Sequence, residues 1–250
     1  EPVFQKFKKI KCIIMKRESQ LKGKKTLSIN NYEKKLLSKH FKLRYKKEIR
    51  AFGKKTIYDL ISSSNILNTN KNNLNSSSTL KFIREFKPDL CFLMGPNLLS
   101  NKMIKNLPEN TFNIHLGLSP WYRGSATLFW PSYNLEPWKT GITFHKLSPN
   151  ADAGPIIHQT AAKLKKGMDL FDLSISAIRE GKKDFKKIIN HIIKKNKIKS
   201  YNQKFYGKSY SGEFFRASHL KIIYELFNND IVDYFLKNKK KYKIKKQKLI

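Results

Sequence analysis

Three polar residues with complementary chemistry stand near the middle of the sequence: Asn113, His115 and Asp152. Asn113 and His115 lie two positions apart in a run that predicts a β-strand, so their side chains project from the same face. Asp152 follows in a loop with Gly154, whose missing side chain lets the backbone pass close to a ligand. Because open α/β sheets bind ligands beyond the carboxyl ends of their strands, the turn-rich segment 118–124 indicates a site here.

An amide, an imidazole and a carboxylate together suit acyl transfer to an amine. The amine attacks the acyl carbon and forms a tetrahedral oxyanion, to which Asn113 can donate a hydrogen bond. A protonated His115 can stabilise that oxygen and then protonate the leaving nitrogen. Asp152 can fix the tautomer of His115, raise its pKa and accept a proton, directly or through water. Each residue alone is more typical of a structural role, so the prediction depends on their spacing and loop context.

The hydrophobic pattern predicts alternating strands and helices around these residues. We expect strands at 9–15, 66–67, 90–94, 111–116, 140–147 and 155–164, and helices at 32–52, 79–86, 100–106, 125–133, 168–195, 214–227 and 230–236. This alternation predicts an α/β fold with a mostly parallel sheet and helices on both faces. From residue 196 the pattern weakens, so we divide the chain into a domain at 1–195 and a short helical C-terminal extension at 196–250 with a lysine-rich tail.

The composition limits the classes of partner. The net charge is +34, from 52 basic and 18 acidic residues, and such a balance is compatible with nucleic acid or another polyanion. The basic residues are nearly all lysine and are spread along the chain, whereas arginine, which suits bidentate phosphate and guanine contacts, is scarce. We therefore attribute the charge to a bias toward lysine, asparagine and isoleucine, and favour a partner other than nucleic acid.

Two further features bear on the location of the protein. The sequence has no stretch of about 18 apolar residues, so we expect no membrane span. Cys12 and Cys91 each lie in an apolar run, which predicts buried free thiols rather than a disulfide or a metal cluster. We expect no bound metal and place the chain in the reducing cytoplasm.

Three motifs resemble those of the folate-dependent formyltransferase family. Residues 113–124, Asn-Ile-His-Leu-Gly-Leu-Ser-Pro-Trp-Tyr-Arg-Gly, are similar to its Asn-x-His…Leu-Pro-x-Tyr-Arg-Gly signature. Residues 140–145, Thr-Gly-Ile-Thr-Phe-His, are similar to its Thr-Gly-Val-Thr-x-His strand, and residues 152–157, Asp-Ala-Gly-Pro-Ile-Ile, to its Asp-x-Gly-Pro-Ile motif. The resemblance extends over 81–191 and implies a Rossmann-like formyltransferase fold, with 1–195 as the catalytic domain.

The resemblance implies a site with two parts. Its catalytic residues would be Asn113, His115 and Asp152. Its second part would be a pocket for 10-formyltetrahydrofolate, the co-substrate that supplies the formyl group, with a wall formed by Met94, Gly95, Asn97, Leu98, Leu99, Thr143, Asn150, Ala151 and Gly154. Asn97, Leu98 and Leu99 are expected beside the pterin through backbone groups, while a plain core position for Leu98 and Leu99 stays open. His145 is either a support for the site or a structural residue.

The sequence also departs from the family pattern. The family usually shows a first strand followed by a glycine-containing turn that helps to hold the acceptor. Here the first glycine is Gly23, and the first predicted strand resembles the family's second. We therefore expect an N-terminal strand and helix to be missing from 1–195, with residues 1–8 as the end of that helix, and part of the acceptor pocket to be absent. Ser119-Pro120 replaces the family's Leu-Pro, which is a mild change.

The residues around the motifs limit the choice of acceptor substrate. Methionyl-tRNA formyltransferases carry a C-terminal β-barrel domain, whereas the residues after 196 predict loop and helix. Glycinamide ribonucleotide enzymes usually lack the Tyr-Arg-Gly turn that sugar-amine enzymes often have. We therefore predict formyl transfer to a primary amine, favouring an amino sugar or other small amine. Glycinamide ribonucleotide, methionyl-tRNA, hydrolysis of formyl-folate and a non-catalytic folate- or RNA-binding role are the alternatives, and homodimerisation stays open.

Overall fold

Strands and helices alternate along the chain, as the sequence predicts. The computed structural model describes residues 4–16, 30–194, 198–204 and 207–239. The strands are β1 Cys12–Lys16, β2 Ile66–Asn70, β3 Cys91–Leu93, β4 Thr111–His115, β5 Tyr122–Gly124, β6 Gly141–Lys146, β7 Ile156–Ala161 and β8 Lys208–Tyr210. The helices are α1 Asn31–Phe52, α2 Ser77–Phe86, α3 Asn101–Ile104, α4 Trp130–Tyr133, α5 Leu170–Ile193, α6 Ala217–Lys221 and α7 Ile231–Asn238.

Most strand pairings in the described residues are parallel. The parallel pairs are β1 with β2, β3 with β4, and β5 with β8. Strands β3, β4, β6 and β7 form one four-stranded sheet in that order, in which β6 runs antiparallel to both of its neighbours. The predicted α/β fold with mostly parallel pairing is therefore confirmed. Its antiparallel pairings within this sheet are the two that β6 makes, with β4 and with β7. A short loop can join β6 to β7 because antiparallel neighbours need no crossover.

The two longest helices, α1 and α5, each begin at a capping box, and one lysine side chain connects the two helices. Asn30 accepts a hydrogen bond from the backbone N–H of Glu33, whose carboxylate accepts one from the backbone of Asn30, so α1 has a defined start. Asp169 and Asp172 make the equivalent pair at the start of α5. The Lys47 ammonium of α1 lies 3.1 Å from Asp169 and 2.7 Å from Asp172, and thereby fixes α1 against the start of α5.

The main hydrophobic core joins the C-terminal segment to the rest of the chain. It contains Leu36, Leu37, Tyr122, Phe129, Trp130, Leu170, Phe171, Phe215, Ala217, Leu220, Ile223, Tyr224 and Ile231. Helices α1, α5 and α6 thus bury side chains in one cluster. The predicted boundary between residues 195 and 196 falls on residues outside the described ranges, as does the tail at 240–250, and the division into two parts stays a prediction.

Three elements differ locally from the predictions. The helix expected at 125–133 is reduced to α4, because Ala126 has a φ of +55°, which a right-handed helix does not allow. The helix expected at 214–227 starts only at Ala217 and ends in a π-turn over Ile222–Leu226. Strand β8 lies where the sequence predicts loop, and its backbone is satisfied by pairing with β5.

The remaining predictions concern the two cysteines and the presence of membrane-spanning helices. Cys12 and Cys91 are free, partly buried thiols, and burial raises the pKa of Cys91 to about 11. Among the helices of the described residues, we find none with the length and apolar character needed to cross a membrane.

Candidate active site

Strand β4 presents Asn113 and His115 near its carboxyl end. It is an interior strand between β3 and β6, and its register places Asn113 opposite His145 and His115 opposite Thr143. Asn113 is 9% exposed and His115 is 6% exposed. Both predicted side chains face the neighbouring strand β6 and are largely shielded from bulk water. Electrostatic interactions are stronger in such surroundings.

The carboxylate of Asp152 lies at the centre of the polar contacts. Its Oδ1 accepts a hydrogen bond from Asn113 Nδ2 at 3.1 Å, and lies 3.3 Å from His115 Nδ1 and 3.5 Å from His145 Nε2. Its Oδ2 accepts a hydrogen bond from the backbone N–H of Gly124 at 2.9 Å. The structure thus brings the three residues predicted to be catalytic together at one oxygen atom.

Both ring nitrogens of His115 face hydrogen-bond acceptors. Nδ1 faces the Asp152 carboxylate at 3.3 Å, and Nε2 lies 2.8 Å from the backbone carbonyl oxygen of Tyr122. A neutral imidazole carries only one N–H, so one of the two acceptors lacks a donor unless the ring is protonated. These two acceptors therefore favour a second proton on the ring, whereas burial of the ring opposes it.

Gly117 makes room for the contact between His115 and the Tyr122 carbonyl. A Cβ at this position would lie 2.5 Å from His115 Nε2 and 2.8 Å from Tyr122 O, closer than real Cβ atoms come to other atoms. Any larger residue at Gly117 would therefore displace the ring or the carbonyl. The sequence contained this signal only as one glycine in the motif, without the reason for it.

Thr143 holds the turn that follows β4. Its hydroxyl donates to Gly117 O at 2.7 Å and accepts from Ser119 N at 2.9 Å and from Gln159 Nε2 at 3.1 Å. Thr143 was predicted in the wall of the folate pocket, but its side chain is completely buried and fully occupied by these contacts. Its observed contribution is to the position of the turn.

Burial and charge act in opposite directions on the two central ionisable groups. Burial lowers the pKa of His115, and the nearby Asp152 carboxylate and the Tyr122 carbonyl only partly offset this effect. Burial raises the pKa of Asp152, but the nearby His145 ring, the charge of His115 and the Gly124 N–H together lower it below its usual range. The expected upward effect of Asp152 on His115 is present, but burial outweighs it.

The amide of Asn113 is already engaged through its nitrogen. Nδ2 donates to His145 Nε2 at 3.0 Å as well as to Asp152 Oδ1. His145 can accept there, since its Nδ1 lies 2.7 Å from Lys146 O and carries the hydrogen of the neutral ring. Asn113 Oδ1 is buried and accepts no hydrogen bond from the described part of the chain. To stabilise an oxyanion, Asn113 must therefore release one of its present partners.

The residues of the segment after β3 differ in solvent exposure, which the sequence alone could not predict. Leu99 is partly buried and packs against a core cluster that includes Met103. Met94 and Leu98 are instead 68% and 65% exposed, Gly95 is exposed and Asn97 is partly buried. Leu93 of β3 pairs with Asn113, and this apolar exposed surface therefore begins beside the strand that carries the polar site.

The loop that carries Asp152 has both exposed and enclosed members. Asn150 and Ala151 are exposed, as a pocket wall requires. Gly154 is buried, and a Cβ there would lie 1.8 Å from Lys146 O. Glycine is therefore needed at this position for close approach to β6, rather than for the approach to a ligand that the sequence suggested.

Two contacts to the Asp152 backbone come from residues to which the sequence assigned no role. Ser119 Oγ donates to the backbone carbonyl of Asp152 at 3.2 Å, and Gln203 Nε2 donates to the same oxygen at 2.8 Å. Strand β8 pairs with β5, which contains Gly124. Gln203 and β8 lie far along the chain in a polar segment without periodicity, so no local pattern could connect them to Asp152.

The comparison with known families decides the classification. A sequence model described as formyl transferase matches residues 10–189. The chain belongs to the formyl transferase family. It is therefore a one-carbon transferase by family, and the predicted family is confirmed.

Solved structures of formyltransferases share the fold. A formyltransferase from Anoxybacillus kamchatkensis, solved with UDP-4,6-dideoxy-4-formamido-L-AltNAc and tetrahydrofolate, aligns with a TM-score of 0.54 at 17% identity, over 71% of this chain and 92% of that one. A sugar N-formyltransferase from Shewanella sp. gives 0.52 at 16% identity, over 81% and 76%. Phosphoribosylglycinamide formyltransferase from Anaplasma phagocytophilum gives 0.50 at 18% identity, over 81% and 97%. At these identities the likeness concerns the fold.

Proposed function

We propose that this protein transfers the formyl group of 10-formyltetrahydrofolate to the primary amine of a small molecule, and that the acceptor is an amino sugar. The observation that carries the proposal is the meeting of Asn113, His115 and Asp152 at a single carboxylate oxygen. A pure binding protein has no need for an amide, an imidazole and a carboxylate in mutual contact inside a buried site. Formyl transfer to an amine requires all three chemical roles.

The exposed residues after β3 and in the Asp152 loop have the chemical character that a folate site needs. Met94, directly after β3, and Leu98 offer exposed apolar side chains, and the exposed backbone around Gly95 and the loop at Asn150 and Ala151 offer polar groups. Ligand sites commonly combine apolar walls with a few polar groups that fix orientation. When bound, 10-formyltetrahydrofolate supplies the activated one-carbon unit, and these residues would hold its ring system.

Each of the three polar residues then has a separate role in the reaction. His115, placed between a carboxylate and a carbonyl, holds a proton close to the reacting atoms and can pass it to the leaving nitrogen. Asp152, whose pKa is lowered, stays ionised and can take up the proton that the amine loses. Asn113 orients the pair in the resting site and turns one N–H toward developing negative charge when the substrates are bound.

Two features support an amino sugar as the acceptor. The turn after β4 has the Tyr122-Arg123-Gly124 form that sugar-amine formyltransferases often have. Sugar formyltransferases also occur among the solved structures that share this fold, including one with a formamido sugar nucleotide and tetrahydrofolate bound. Glycinamide ribonucleotide is the alternative acceptor, because an enzyme for that substrate shares the fold over nearly its whole length.

The test is a panel of amines with one formyl donor. The purified chain is incubated with 10-formyltetrahydrofolate and, separately, with nucleotide-linked 3- and 4-amino sugars, glycinamide ribonucleotide and methionyl-tRNA, and formylated products are measured by mass spectrometry. We expect an amino sugar to be formylated, and His115→Ala to abolish the reaction. Product with glycinamide ribonucleotide alone would move the acceptor to the alternative. Saturable binding of a non-transferable folate analogue without any product would contradict the catalytic proposal, and light scattering of the same preparation checks for a homodimer.

A further inference from the structure

The backbone at Asp152 adopts a conformation that needs outside support. Its φ is +51°, in the left-handed region that residues other than glycine seldom occupy. Aspartate tolerates this region better than most residues, but such a conformation persists only where neighbouring contacts hold it. Any relaxation of this turn would move the carboxylate away from His115 and Asn113.

Gln203 makes the contacts that span this turn. Its Nε2 donates to the carbonyl oxygen of Asp152 at 2.8 Å and to that of Gly154 at 2.9 Å. One amide nitrogen therefore binds the carbonyl oxygen of the residue before Ala153 and that of the residue after it. The Ser119 hydroxyl adds a weaker contact, at 3.2 Å, to the Asp152 carbonyl alone.

The position of Gln203 is itself fixed by neighbouring backbone. Tyr201 and Ile156 exchange two backbone hydrogen bonds of 2.8 Å, which tie the segment just before Gln203 to the start of β7. Gln203 Oε1 is buried and accepts no hydrogen bond from the residues that the structure describes. Turning the amide over would set this oxygen against two carbonyl oxygens, so the donor side is the only arrangement that satisfies the turn.

We propose that Gln203 is a positioning residue of the active site, which holds Asp152 in the left-handed conformation that presents its carboxylate to His115. The proposal rests on the proposed formyl transfer for its activity readout, but not for its structural one. It gives Gln203 alone, among residues 198–204, a role in catalysis, although its amide contacts only the backbone carbonyls of the turn. Its effect is exerted through Asp152 alone.

The test compares Gln203→Met with Asn202→Met. Methionine is close to glutamine in size but has no N–H to donate, and Asn202 is an exposed neighbour whose replacement adds the same side chain without touching the turn. The ring-nitrogen NMR signals of His115 report its hydrogen bond to a carboxylate, and Asp152→Asn gives the signal expected when that carboxylate is removed. We expect Gln203→Met to move these signals toward those of Asp152→Asn, and Asn202→Met to leave them unchanged.

The activity readout is a fall in kcat of about 10- to 100-fold in Gln203→Met with KM for the folate donor little changed, because a small misplacement of a catalytic group has effects of this size. Unchanged His115 signals together with unchanged kcat would overturn the proposal. If the unmodified chain forms no product, the proposed function fails, while the NMR comparison still tests Gln203.

A second variant covers the case in which Gln203→Met does not fold. The acid form of Gln203→Glu can donate one hydrogen bond to the turn, whereas its carboxylate can donate none. Its kcat relative to the unmodified chain should therefore fall as pH rises through the titration of the new carboxyl. A ratio that does not change with pH would overturn the proposal.

Discussion

His115 and His40 are buried to the same degree but in opposite surroundings. His115 is 6% exposed and His40 is 5% exposed. His115 lies between a carboxylate and a backbone carbonyl. The Nδ1 of His40 lies 2.9 Å from the Tyr224 hydroxyl, and the ring packs against the aromatic rings of Phe41, Phe129, Phe171, Phe215 and Tyr224.

The difference shows that burial alone does not prepare a histidine for proton transfer. Burial, with a smaller effect from Arg44, lowers the pKa of His40 to about 4, and no carboxylate among the described residues contacts the ring to oppose this effect. At His115 the Asp152 carboxylate opposes the same effect of burial. A buried imidazole therefore becomes useful for catalysis through the acceptors around it, while without them it behaves as a polar member of the core.

Replacing each histidine should separate these roles most strongly. We expect His115→Ala to lower turnover by about a thousandfold or more, because it removes general acid catalysis, while binding of a folate analogue is largely retained. His40→Gln, which keeps a polar group for Tyr224, should leave turnover close to that of the unmodified protein. Steady-state kinetics and a binding titration measure both, and near-normal turnover in His115→Ala would refute the assigned role.

Removing the carboxylate should make His115 more like His40. In Asp152→Asn the charge that favours a protonated His115 is lost, so we expect a fall in kcat of about 100- to 1000-fold and a lower pKa of His115. Kinetics under saturating substrates and a pH titration of the His115 ring by NMR check this. An unchanged His115 titration would mean that the carboxylate does not act on the ring.

The core histidine, His40, should instead affect how the free energy of unfolding depends on pH. The folded-state pKa of His40 is lowered from 6.5 to about 4, so between these values the unfolded chain binds the additional proton. Its contribution is fully present above about pH 6.5 and is lost as pH falls toward 4, by about 3 kcal/mol at most. Urea unfolding at pH 7 and pH 4.5 should show a smaller pH difference for His40→Gln than for the unmodified protein, and equal differences would contradict this account.

The contact between His115 and the Tyr122 carbonyl can be disturbed without changing either residue. Gly117→Ala places a Cβ 2.5 Å from His115 Nε2, so we expect kcat to fall by about 10- to 100-fold. Gly212→Ala is the matched control, since the nearest atom to its Cβ would be Ser125 Oγ at 3.8 Å, an ordinary contact. Similar kcat values for the two variants would show that the Tyr122 contact is dispensable.

The sequence predicted the parts of the site that local rules govern. The alternation of side chains along β4 placed Asn113 and His115 together, and the family motif added Asp152. The long capped helices α1 and α5 were also predicted, because their hydrophobic spacing extends over many turns.

Other parts depend on contacts that no local pattern encodes. Strand β8 has three residues, Lys-Ser-Tyr, without alternation, and becomes a strand only because β5 offers it backbone partners. Gln203 reaches Asp152 from a polar segment, and Leu98 and Leu99 look alike in the sequence although one is exposed and the other packs against a core cluster. Such assignments require the tertiary structure.

The pairing of β5 with β8 also bears on when the protein becomes active during its synthesis. Asn113, His115 and Asp152 leave the ribosome well before Gln203 and β8, and chains begin to fold from their N-terminal side as they emerge. A nascent chain that has reached only β7 carries Asn113, His115 and Asp152 but lacks Gln203 and β8. With the roles proposed for these residues, competence for transfer is acquired late, after the residues around 203–210 have emerged.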